Sequence, residues 1–326
     1  MKVIKTIKEF EKLKGGCCLT IGNFDGMHIG HQKILSVAKA AAAGKNLSLA
    51  AVTFEPHPVS VLHPDQTPER LTNLSLKLEL LARYGADYVC LLKADKELLS
   101  LSAFDFVKEI IVESFKPALV VEGENFRFGA NRTGNIDTLA YLGTENGFEV
   151  ESIEPAEVRL SIGSSVKISS TLIRNLLIDS KVADAAVALG RPYRLIGKVV
   201  PGKGKGKMLG FPTANLDEIV QLIPSEGVYA AIAVAGDNEN EICRMTAQIP
   251  SAVSIGRTPT FGSDNPLLVE AHLLDENAGA LYGKWMAIDF IEKIRDQQKF
   301  ASEKELAEQI AEDCRKARHI LPHPKI

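Results

Sequence analysis

At 326 residues, 45% hydrophobic and 24% charged, the chain has the composition of a globular protein of about two ordinary domains. Its formal net charge of −3 gives no electrostatic case for a nucleic-acid or anionic-membrane surface, and no apolar run approaches the ~18 residues that span a bilayer. The N-terminal "MKVIKTIKEFEKLKGG" lacks the apolar core of a signal peptide, and five scattered cysteines without a C-x-x-C pair suit neither a disulfide framework nor a zinc site, so a cytoplasmic protein with buried thiols is expected.

In chain order, "CCLTI" (17–21) predicts a strand and "HQKILSVAKAAAAG" a helix ending near Gly44. Strand "LSLAAVTF", helix "LSLKLELLARYG", strand "DYVCLL", helix "AFDFVKEIIVES" and strand "ALVVEG" follow, then a Gly/Asn loop, a helix near 135–146 and strand "FEVESI". This alternation predicts a Rossmann-like α/β domain: a parallel sheet with helices on both faces. Ligands of such sheets bind beyond the carboxyl ends of the strands, where "IGNFDGMHIGHQ" (21–32) falls.

Attack on a nucleotide α-phosphate develops charge on phosphate oxygens, so the protein must position and stabilise. His28 and His31, three residues apart at a helix start, share a face and can donate to those oxygens; Gly30 clears the approach, and the helix N-terminus adds donors. Class I aminoacyl-tRNA synthetases share the His-x-Gly-His pattern, but their Lys-rich loop is missing here. Instead "KISSTLIR" (167–174) puts the hydroxyls of Ser169, Ser170 and Thr171 at a strand-to-helix junction, with Arg174 one turn on.

Near Leu189-Gly190-Arg191-Pro192 the pattern changes to short β-rich runs, "YRLIGKVV", "GVYAAIAVAG", "RMTAQIP", "LLVEAHLLD" and "WMAIDFIEKI", which predict a small β-barrel. A last helix opens with the capping box Ser302-x-x-Glu305 and carries Leu306, Ile310 and Cys314 on one face. The expected domains are therefore 1–185 and 186–326. In the second, "GKGKG" reads either as a solvated basic loop or as a phosphate-covering flap whose charge comes from Lys203, Lys205 and Lys207. Thr213 and Asn215 of "PTAN" alternate along an extended segment, so both face one way and offer the hard oxygens that Mg²⁺ accepts. Glu270, a lone carboxylate in an apolar strand, is a candidate general base or a solvent-facing residue.

"IGNFDGMHIGHQ", "TFEPHP" (53–58), "EGENFRFGANR" (122–132) and "ISSTLIR" together resemble the adenylyltransferase module of bacterial bifunctional riboflavin kinase/FAD synthetases. "GFPTAN", "GVYAA", "GRTPTFG" (256–262), "VEAHLLD" (269–275), "LYGKW" and "KIRDQQKF" (293–300) resemble that family's riboflavin kinase module, in order and spacing. The resemblance runs from about residue 15 to about residue 318. It implies that Gly22, Asn23, Phe24, His28, Gly30, His31, Ser169, Ser170, Thr171 and Arg174 handle ATP in one site, and that the loop around Gly210 does so in the other. It further implies that Asn125, Phe126, Phe128, Arg132 and Arg295 lie toward flavin, that Thr213 and Asn215 are metal or phosphate ligands, and that Glu270 is the base. Two departures stand out: Asn125 where many relatives have Asp, and Ser254 where they usually have Asn.

The implied function is phosphorylation of riboflavin to FMN and adenylation of FMN to FAD plus pyrophosphate, with ATP and Mg²⁺. The rivals are a His-x-Gly-His nucleotidyltransferase of other specificity and a non-catalytic flavin-binding protein. Small-molecule partners alone are expected, without nucleic acid or membrane; self-association is not readable from the sequence.

Overall fold

A computed structural model describes residues 1–5, 7–10, 16–161, 163–202, 204–257, 267–275 and 281–321. The apolar runs of the first half form strands β1 (Lys2–Ile4), β2 (Cys17–Ile21), β3 (Ser48–Phe54), β4 (Tyr88–Leu92), β5 (Pro117–Gly123) and β6 (Glu149–Ile153). They make one parallel sheet in the order β1-β4-β3-β2-β5-β6. All five residues of β2 are buried, which is why it reads as an unbroken apolar run rather than an alternation. From β2 the chain goes to β3 on one side and later returns to β5 on the other, so the topological switch point lies between β2 and β5. Edge strand β1 is an addition that the sequence reading does not contain.

The expected helix over "AFDFVKEIIVES" is a short turn, Ala103–Asp105, continuing as the π-helical run Phe106–Phe115. Its wider winding shows in Lys116 N donating to Ile111 O at 3.1 Å, and the run stops there with Lys116 left-handed at φ 47°. Strands β7 (Glu157–Arg159) and β8 (Ser165–Lys167) form a small antiparallel pair.

The second half closes into an antiparallel barrel, β10-β13-β12-β11-β14-β9. Its strands are β9 (Tyr193–Val200), β10 (Thr213–Asp217), β11 (Gly227–Gly236), β12 (Ile249–Arg257), β13 (Leu267–Leu273) and β14 (Trp285–Arg295). One expected strand is misplaced: "RMTAQIP" straddles the end of helix Glu239–Arg244 and the start of β12. Asn238 caps that helix by accepting from Glu241 N at 2.9 Å, and Ile242 and Cys243 bury its apolar face. The last helix, Glu303–Ile320, starts at the expected cap, with Ser302 Oγ accepting from Glu305 N at 3.2 Å and Ala301 N donating to Glu305.

By packing, the chain divides into two compact units: residues 1–68, 77–159 and 165–168, and residues 69–76, 160–164 and 169–326. Helices Ser170–Ile178 and Val182–Leu189 belong to the second, where Ser180 Oγ accepts from Lys293 Nζ of β14 at 2.9 Å.

Candidate active sites

In the first unit, the β2 carboxyl end leads into a tightly bent loop. Gly22 N still donates to Val52 O of β3 at 2.9 Å, and Thr53 Oγ1 donates to Asn23 O at 3.2 Å. Phe24 and Met27 are left-handed, at φ 47° and 44°, a conformation that bulky residues rarely adopt. Both side chains are buried, and that burial holds the bend. Phe24, expected at ATP, is buried and meets the His31 ring edge-on at 5.3 Å.

His28 is the N-cap of helix Ile29–Gly44, its Nδ1 accepting from His31 N at 3.3 Å. That assignment leaves the proton of the neutral ring on Nε2, as a donor. The two imidazoles stack, centroids 3.7 Å apart and 16° between planes. A Cβ on Gly30 would stand 3.1 Å from the His28 ring, so glycine makes room for the stack. Burial pushes His28 down to about 4 and His31 well below its usual range, the neighbouring His28 and Lys77 adding to the latter. Both rings are therefore neutral at pH 7. His31 Nδ1 is buried with no hydrogen-bond partner among the described residues, a polar atom suited to a ligand oxygen.

Beyond β5, Phe126 N donates to Gly123 O at 2.9 Å and turns the chain. Phe126 is half-buried and stacks on Phe128 at 5.4 Å, while Phe128 is buried against Phe106. Phe128 therefore backs Phe126; Asn125 and Arg132 are exposed.

Ser169, Ser170, Thr171 and Arg174 lie in the second unit. Ser169 is the N-cap of helix Ser170–Ile178, its Oγ accepting from Leu172 N at 3.1 Å. Arg174 Nε donates to Glu69 O at 2.7 Å.

On the barrel, Asn215 of β10 is directly opposite Glu270 of β13, and Thr213 opposite His272. Ala214, Leu216, Val269 and Ala271 are buried, so the alternating Thr213, Asn215, Glu270 and His272 share the other face, with opposed Cβ atoms about 5 Å apart. The glycine-rich segment lies on this face. A Cβ on Gly202 would collide with the Asn215 amide, and one on Gly206 would stand 3.2 Å from Thr213 Oγ1. Gly206 lies in a short helical turn, Lys205–Met208, followed by left-handed Gly210 at φ 85°. Lys203, the side chains of Lys205 and Lys207, and residues 258–262 lie outside the described residues.

Two hydroxyl and amide oxygens beside one carboxylate suit a Mg²⁺ ion held mainly by ATP phosphates and water, rather than an all-protein cage. No group of three or more His, Cys, Asp or Glu with metal-binding geometry occurs among the described residues.

Two further positions take on structural definition. Arg295, expected toward flavin, donates from Nε and Nη2 to buried Asp313 at 2.7–3.0 Å, fastening the last helix to β14. Ser254 Oγ accepts from Gln297 Nε2 at 2.9 Å, and the same amide donates to Ile255 O at 2.8 Å. Gln297 thus brings an amide to the place where Ser254 lacks one. Sequence reasoning also passed over His272, whose Nδ1 lies 2.8 Å from Pro212 O, although its alternation with Glu270 was readable.

The FAD synthetase family model matches residues 10–172, and the riboflavin kinase family model matches residues 189–321. The chain is 38% identical over 322 residues to the bifunctional riboflavin kinase/FMN adenylyltransferase of Escherichia coli K12, covering 98% of both chains. It is 34% identical over 320 residues to the protein of that name from Pseudomonas fluorescens, again covering 98% of both. A crystal structure described as a macrolide-efflux protein from Streptococcus pneumoniae superposes with a TM-score of 0.80 at 29% identity, over 97% of this chain and 98% of that one. No helix among the described residues of this chain is long and apolar enough to cross a membrane.

Proposed function

Because the chain belongs to the bifunctional riboflavin kinase/FMN adenylyltransferases, we propose that its two reactions are carried by two separate residue sets. In the barrel, Glu270 takes the proton of the ribityl hydroxyl as that oxygen attacks the γ-phosphorus of ATP, and ADP leaves. Thr213 and Asn215 would hold Mg²⁺, which when bound neutralises phosphate charge. The glycine-rich segment, with Lys203, Lys205, Lys207 and Gly210, closes over the phosphates. The observation that carries this reading is the Asn215–Glu270 register with Gly202 and Gly206 seated against Asn215 and Thr213.

In the α/β part, an FMN phosphate oxygen attacks the α-phosphorus of ATP, forming the new P–O bond as the bond to pyrophosphate breaks. Neutral His28 and His31, with Gly22, Asn23 and Gly30 shaping the approach, donate to the departing phosphate oxygens. Ser169, Ser170, Thr171 and Arg174 are assigned to the same ATP; the first three fall inside the FAD synthetase match. Phe126, with Asn125 and Arg132, is assigned to the flavin. The corresponding functional modules are 1–185 and 186–326. Cytoplasmic residence is part of the proposal and is supported by five free, buried cysteines.

The test is to incubate the protein with riboflavin, ATP and Mg²⁺ and separate the flavins by chromatography. His28→Ala with His31→Ala should accumulate FMN, whereas Glu270→Ala should make no FMN yet adenylate FMN when supplied. Equal loss of both activities in both variants contradicts two independent sites.

A further inference from the structure

Glu122, the penultimate residue of β5, is 3% exposed in a strand that is otherwise apolar apart from its end. β2 and β5 pair as far as Leu19 and Val120. Beyond that point, where a continuing ladder would offer a backbone carbonyl, the amide of Ile21 donates to Glu122 Oε1. Thr20 Oγ1 donates to the same oxygen at 3.3 Å. A side chain thus replaces the ladder across the switch point, one residue before the loop that carries His28. Gly22, the next residue, is tied on the opposite side to β3 through Val52 O, so Glu122 and Val52 together fix both flanks of the loop's origin.

We infer that Glu122 is a positioning residue for adenylyl transfer, setting the separation of β2 and β5 from which the Gly22–His28 loop reaches the nucleotide. The inference rests on the proposed assignment of His28 and His31 to ATP. A carboxylate at the floor of a triphosphate site would repel its ligand, so the protonation of Glu122 matters. Burial raises its carboxyl well above the usual range, against the lowering effect of the Ile21, Thr20 and Gly123 hydrogen bonds, and so favours the uncharged form. Titratable groups coupled to this junction include Cys18 on β2 and Glu151 on β6. The Cys18 thiol is itself raised to about 12, mainly by burial and further by the Glu151 and Glu122 carboxyls. Over β5, helix Ile29–Gly44 contributes Ile34, whose Cδ1 would be 3.5 Å from a Cβ on Gly123, so that side is apolar.

The test uses the full chain and assays both activities. Glu122→Leu leaves the Ile21 amide without its acceptor and should lower kcat/KM for FAD formation by at least about tenfold, with riboflavin phosphorylation within about twofold of wild type. Glu122→Gln keeps an acceptor oxygen that cannot ionise. It should support FAD formation within about threefold of wild type at pH 7 and remove any alkaline decline that ionisation of Glu122 imposes on wild type. Wild-type FAD formation by the leucine variant, or parallel loss of both activities, overturns the inference; so does a glutamine pH profile that coincides with wild type. If the leucine variant does not fold, the glutamine profile decides alone. Should the histidine variants retain FAD formation, the ATP assignment itself fails; should only Glu122→Leu do so, this inference fails by itself.

Discussion

Gly30 shows how far one missing side chain reaches. It sits in the first turn of a helix, where alanine would be the better helix former by about 1 kcal/mol. Yet a methyl there would press on the His28 ring at 3.1 Å and shift the stack. Gly30→Ala should therefore keep or raise thermal stability while cutting FAD formation by up to about 10²-fold, measured by chromatography with FMN as substrate. Among single residues, legibility follows range. His28, Gly30 and His31 are close neighbours in sequence, so their geometry was readable from spacing. The alternation of Thr213 with Asn215 was readable for the same reason. Arg295 and Phe128 were not, because their partners, Asp313 and Phe106, are 18 and 22 residues away and come into contact only through tertiary packing. Glu122 offered the same signal as Glu270, a carboxylate in an apolar strand. Its partner could be named only once strand order was known.

At the scale of elements, the parallel sheet and the closed barrel were legible because alternation and breaker residues are strong local signals. Helix Glu239–Arg244 was not, since six residues are too few for periodicity and its Asn238 cap resembles an ordinary turn. The glycine-rich segment, read only as loop or flap, has a helical turn at its centre. The last helix is held by the Arg295–Asp313 pair, with side chains 12% and 4% exposed, and Gln309 also donates to Asp313 at 3.0 Å. Asp313→Ala would leave a guanidinium buried without its counter-charge, a loss of about 3–5 kcal/mol. Denaturant unfolding should show it as a lower midpoint, and Arg295→Met with Asp313→Leu should recover much of the loss.

At the scale of the whole molecule, two buried groups make stability depend on pH in opposite directions. His28 is depressed from 6.5 to about 4, so below pH 6.5 the unfolded chain takes up a proton that the folded one refuses. Its contribution is complete above 6.5 and lost as pH falls toward 4; His31 acts in the same sense. Glu122 is raised, so its contribution is complete below its ordinary 4.5 and is lost as pH rises through its folded value. Calorimetric midpoints of His28→Asn with His31→Asn should gain on wild type as pH drops from about 6.5 to about 4, because asparagine can cap the helix without titrating. A gap that stays constant over that range would contradict neutral buried imidazoles.

Residues 69–76 precede the barrel by more than a hundred positions in the chain yet pack with it. Gln221, only 4% exposed, donates to Leu71 O at 3.1 Å and to Arg194 O at 2.7 Å while accepting from Ile196 N at 3.0 Å. Leu222 N donates back to Arg70 O at 2.7 Å. A gene divided between the two enzymatic halves would deprive the kinase half of this segment, costing the buried Gln221 amide one of its two acceptors and the Leu222 N–H its Arg70 acceptor. The fusion is therefore more than a tether for two catalysts. Part of the first half's coding sequence is a structural subunit of the second, which binds the two activities to a common inheritance.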